Sequence, residues 1–100
     1  MKMINWGALK AALTNGVQGT TYSLINLDNK TPLVDALSVL TKEDFEFITF
    51  RFDPENRDLS LEDIRYRYYP GFSRNEMIMT ETRILDQLRG NEIIQSLIMR

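Results

Sequence analysis

Apolar and polar positions recur with different periods along this chain, and the changes of period predict its elements. Trp6, Leu9 and Leu13 fall at helical spacing behind Asn5, a suitable N-cap. Ile4 and Leu9 then take the N′ and N4 positions of a hydrophobic staple, and Asn15-Gly16 supplies a stop. The run from Thr20 to Leu27 is rich in β-formers and predicts a strand, after which Asp28, Asn29 and Lys30 turn the chain. Thr31 caps a second helix with Pro32 at its first position, and Leu33, Val34, Leu37 and Leu40 supply its buried face.

The middle of the chain carries two competing signals. Thr41 with Asp44 three residues on is a variant of the capping box, which argues for a helix. Phe45, Phe47 and Thr49 alternate with Glu46, Ile48, Phe50 and Phe52, however, and four phenylalanines in eight residues favour a strand. The strand is the reading adopted. Asp53 to Asp58 is a turn by its Pro, Asn and Asp content. Ile64 to Tyr69 alternates again, so an antiparallel hairpin follows.

Pro70-Gly71 closes that segment. Ser73 and Glu76 match the S-x-x-E capping box and predict a helix from Arg74, with Met77, Ile84, Leu85 and Leu88 on its apolar side. A rival reading makes Glu76 to Thr80 a strand and starts the helix near Glu81. Either way the element ends at Gly90, and Asn91 caps a last helix carrying Ile93, Ile94, Leu97 and Ile98. The expected architecture is a single α+β domain over residues 1–100. It has a small antiparallel sheet of about three to four strands with helices packed on one face.

Composition fits that expectation and narrows the chemistry. At 100 residues with 43% hydrophobic positions there is material for one core. The net charge of −2 argues against both an acidic DNA mimic and a basic nucleic-acid coat. The four lysines stand at or before Lys42, whereas every arginine lies between Arg51 and Arg100. Guanidinium forks suit carboxylates, phosphates and aromatic faces, which directs attention to the second half. No apolar run approaches the roughly 18–20 residues of a membrane span. Nor does the start carry the apolar core of a signal peptide, so a cytoplasmic address and no membrane partner are expected.

The chain contains neither cysteine nor histidine. Disulfides, thiol catalysis, the usual general base and the common zinc ligands are thereby removed. Gly16 and Gly19 match no phosphate-binding glycine pattern. Asp53, Glu55, Asp58, Glu62 and Asp63 cluster, but an EF-hand starting at Asp53 would need Gly and an acid where Asp58 and Ile64 stand. No catalytic, cofactor-binding or metal-binding residue is therefore assigned, no cofactor is expected, and the protein is expected not to be an enzyme.

Two stretches remain as candidate surfaces. Arg65, Arg67 and Tyr69 share one face of the expected strand and are continued by Phe72 and Arg74. Arginine beside tyrosine is the chemistry of protein hot spots, and equally of stacking and phosphate contact on single-stranded nucleic acid. The blander alternative pairs those arginines with acids of the neighbouring strand, such as Glu46. The second stretch is the C-terminal stripe of Ile93, Ile94, Leu97 and Ile98, which docks on its own chain or on a twin helix in a homodimer. The leading expectation is a non-enzymatic protein-interaction module acting through Arg65, Arg67, Tyr69, Phe72 and Arg74. A nucleic-acid-binding module on the same residues is the alternative. Small phage or mobile-element proteins that inhibit a host complex share this profile, as do many unremarkable domains.

Overall fold

The computed structural model describes residues 2–15 and 23–99. β1 (Met3–Asn5) runs straight into α1 (Trp6–Leu13), and the hinge is Asn5, whose side chain accepts the Ala8 N–H at 3.3 Å. The N-cap read from the sequence thus also ends a strand. β2 (Leu24–Asn26) lies antiparallel to β1 with Ile4 opposite Ile25. Two flanking bonds extend the pairing, from Leu27 N–H to the Lys2 carbonyl at 2.8 Å and from Trp6 N–H to the Ser23 carbonyl at 2.7 Å. The earlier part of the expected strand, from Thr20 to Tyr22, lies outside the described residues, as does Gly16 of the expected helix stop.

Five further helices follow: α2 (Pro32–Leu37), α3 (Lys42–Arg51), α4 (Leu61–Tyr68), α5 (Arg74–Arg89) and α6 (Glu92–Ile98). A single 3-10 turn, Pro54–Asn56, links α3 to α4. The start signals of α2, α5 and α6 operate as the sequence predicts. Thr31 accepts the Val34 N–H, Ser73 and Glu76 form a reciprocal capping box, and Asn91 accepts the N–H groups of Ile93 and Ile94.

Two strand expectations are overturned: Phe45–Phe52 belongs to α3 and its C-cap, and Ile64–Tyr69 to α4 and its C-cap. Between the two readings of Glu76–Thr80 the structure has the helix, since those residues lie in α5. The sheet accordingly has two strands among the described residues, not three or four. Burial gives the reason. Phe47 and Ile48 are neighbours yet both are buried, at 1% and 0% exposure, which a strand with helices on one face only and water on the other cannot arrange. Asp44, Phe47, Ile48 and Phe52 instead follow the i, i+3, i+4, i+8 spacing of one helix face, and all four are buried. The Thr41 hydroxyl accepts the Asp44 N–H at 3.2 Å, so the local cap wins over the β propensity of the phenylalanines.

The core is one connected cluster that takes Ile4 from β1, Leu9 from α1, Leu37 from α2, Ile48 from α3, Ile64 from α4 and Leu88 from α5. α5 is the central prop, packing on α1, α3, α4 and α6, while α6 also rests on α2. Arg89, in the last turn of α5, ties down the end of α1. Its guanidinium donates to the Leu13 carbonyl at 2.8 Å and the Ala12 carbonyl at 3.0 Å, in the last turn of that helix. No helix among the described residues is long and apolar enough to cross a membrane.

Candidate functional site

The arginine–tyrosine segment is a helix because Ser60 and Asp63 close a capping box ahead of it. The Ser60 hydroxyl accepts the Asp63 N–H at 3.1 Å and the Asp63 carboxylate accepts the Ser60 N–H at 3.0 Å. Each helical residue turns about 100°, so Arg65 and Arg67 diverge by about 200° instead of sharing a face. One consequence is that the expected binding set divides.

Arg65 is consumed by the fold. Its Nε and Nη2 donate to the Glu62 carboxylate, and its Nη1 donates to the Phe72 carbonyl at 3.0 Å. The side chain is 19% exposed, and the guanidinium carbon stands 4.9 Å from the centre of the Tyr66 ring. The bond from Arg65 holds the Glu62 carboxyl below its ordinary range, with the Arg74 charge adding to the effect. Arg65 does pair with an acid, as the blander reading expected, but with Glu62 one turn back on the same helix and not across strands with Glu46.

Tyr69 ends α4 as its C-cap and turns inward, half-buried. Its ring lies 5.5 Å from Phe47 and 5.1 Å from half-buried Phe72, both in tilted contact. Burial pushes the Tyr69 phenol up, and the negative charges of Glu46 and Asp44 push it further. Arg74 is exposed at the first position of α5.

Arg67 points the other way. With Leu59, Asp63 and Tyr66 it lines a shallow hollow of about 440 Å³ on the outer side of α4. Tyr66 is 72% exposed. A strand would put it on the face opposite Arg65, Arg67 and Tyr69, so the expected binding set left it out. The Ser60–Asp63 capping box was the available signal, since a helix started there puts Asp63, Tyr66 and Arg67 together at i, i+3 and i+4.

A second hollow, of about 350 Å³, opens between α3, α5 and the chain following α4. Phe47, Tyr69 and Phe72 line it together with Glu43, Glu46 and Thr80, and the Asp44–Arg83 pair closes one side. Arg83 grips both Asp44 carboxylate oxygens at 2.8 Å, and these bonds hold the Asp44 carboxyl below its ordinary value.

Three of the clustered acids serve structure. Asp53 accepts the Glu55 N–H at 2.9 Å, and Asp63 and Glu62 act as cap and ion-pair partner. Among the described residues no group of three or more acids is placed to hold a metal ion. In the C-terminal stripe Ile94 is buried, Leu97 and Ile98 pack partly onto the core, and Ile93 is exposed. Most of that face is thus covered by its own chain. No family model matches the sequence, and no curated protein or solved structure is significantly similar to it.

Proposed function

We propose that this protein is a non-enzymatic interaction module that docks another protein against the outer face of α4, through Tyr66 and Arg67 with Leu59 and Asp63 beside them. The observation that carries this reading is the 72% exposure of Tyr66 on an ordered helix. A large aromatic left in water is a cost that contact with a partner removes, and Tyr and Arg are the residue types enriched at hot spots. Arg65 stiffens the platform, because its bonds to Glu62 and the Phe72 carbonyl fix it beneath the Tyr66 ring. A pre-ordered surface loses little side-chain entropy on binding.

The same commitment of Arg65 favours a protein partner over nucleic acid. A stacking platform that neutralises phosphates needs guanidinium donors to spare, and Arg65 has given its own to the fold. The test is affinity capture from lysate with nuclease treatment in parallel, comparing the native chain with a Tyr66→Ala/Arg67→Ala variant. A protein retained by the native chain, insensitive to nuclease and lost by the variant supports the assignment. Retention by both proteins overturns the surface, and loss on nuclease treatment overturns the partner class.

A further inference from the structure

Helical spacing sets Glu43, Glu46 and Phe47 on one side of α3, where they meet Tyr69 and Phe72 across the second hollow. The wall is aromatic: the Tyr69 ring stands tilted 5.5 Å from buried Phe47 and 5.1 Å from Phe72. Three of the four charged residues around it are carboxylates. Arg83 neutralises Asp44, so the charge left over is that of Glu43 and Glu46, neither of which has an ion-pair partner among the described residues. Burial is the main cause that raises the Tyr69 phenol, and the charges of Glu46 and Asp44 beside it add to the effect.

We propose that this hollow receives a cationic side chain, arginine or lysine, from a partner protein segment, stacked on Tyr69 and Phe72 and paired with Glu43 and Glu46. Tilted rings present their negative faces to a cation, and carboxylates at the rim compensate the charge it brings. The proposal rests on the reading of the chain as a protein-interaction module and adds the chemistry of the segment it takes. Arg65 joins the two surfaces, touching the Tyr66 ring on one side and the Phe72 carbonyl on the other.

The experiment is an NMR titration of the whole chain with Nα-acetyl-arginine amide and Nα-acetyl-lysine amide, with Nα-acetyl-glutamine amide as the neutral control. Saturable shifts at Tyr69, Phe72 and Glu46 are expected with the cations and not with the control. In the Glu43→Gln/Glu46→Gln variant the affinity should fall at least about threefold, as two solvent-accessible charge pairs would give. Phe72→Leu, which keeps an apolar filling, should also weaken the cation. Both variants are checked for native shifts elsewhere. Shifts of equal size with the neutral probe, no saturable shift, or a glutamine variant that binds as well as the native chain would each overturn the proposal. The Tyr66→Ala/Arg67→Ala variant should titrate unchanged. If the titration holds while partner capture survives that variant, the α4 assignment falls and the hollow stands. If capture depends on Tyr66 and Arg67 while the titration is flat, the hollow alone is wrong.

Discussion

Asn56→Ala isolates one buried polar contact on which the placement of α4 depends. Asn56 is 2% exposed and sits in the turn between α3 and α4. The Phe50 carbonyl, near the end of α3, would look four residues on for its donor, but that position is Pro54, which has no N–H. Asn56 Nδ2 supplies the missing bond at 2.9 Å and also lies 3.0 Å from the Tyr68 hydroxyl. The Tyr68 ring in turn stacks on Phe50 with centroids 4.2 Å apart and planes 6° from parallel. Alanine removes about 1 kcal/mol of net hydrogen bonding and strands a part-buried carbonyl at about 1–2 kcal/mol more, for a loss of about 2–3 kcal/mol. For a domain of this size each kcal/mol moves the melting point by about 4–8 °C, so a fall of about 10–20 °C is expected. Urea unfolding followed by circular dichroism gives the free energy directly. Tyr68→Phe should cost only about 1 kcal/mol, and the double variant should fall short of additivity by about 0.5–1.5 kcal/mol. A loss under about 0.5 kcal/mol for Asn56→Ala would refute the claim that Pro54 leaves Phe50 dependent on this side chain.

Two further outcomes follow from ion pairs and caps. Arg89→Met should destabilise the protein by about 1.5–3 kcal/mol, because a charged donor to the Leu13 and Ala12 carbonyls is lost. Amide exchange should report the loss first in the last turn of α1. Arg83→Met leaves buried Asp44 without its bidentate partner. As the Arg83 side chain is itself 58% exposed, the expected cost is about 1–2 kcal/mol, below that of a fully buried pair. Arg83 depresses the Asp44 pKa, so the pair's contribution is present above the ordinary aspartate range and is lost as the pH falls through the depressed value. Native and variant stabilities should therefore converge in acid. A constant gap between them down to the acid transition would contradict this account.

Helix starts were legible in the sequence because they depend on residues a few positions apart. Asn5, Thr31, Ser73 and Asn91 each cap the helix expected of them. Periodicity misled at Phe45–Phe52 and Ile64–Tyr69, where apolar residues satisfy alternation and helical spacing at once. What separated the two was tertiary: Phe47 and Ile48 are both enclosed by other elements, and only a helix brings adjacent positions onto one buried face. The site suffered from the same error. Once Ile64–Tyr69 is helical, Arg65 finds Glu62 one turn back and the Phe72 carbonyl beyond the helix end, while Tyr66 moves to the surface. The strand reading set Arg65, Arg67 and Tyr69 on one face, and the helix separates them.

Arg65 and Arg67 are two residues apart, and the account gives them opposite roles. The most direct test measures, for Arg65→Ala and Arg67→Ala side by side, both the unfolding midpoint in urea and the affinity for a captured protein partner. Arg67→Ala should leave stability within about 0.5 kcal/mol of the native chain and weaken binding, since its side chain faces the hollow beside Tyr66. Arg65→Ala should lower the unfolding midpoint, because Glu62 and the Phe72 carbonyl lose their donor. An Arg67→Ala protein that binds as tightly as the native chain, or an Arg65→Ala protein that unfolds at the native midpoint, would contradict the division of the segment into framework and contact.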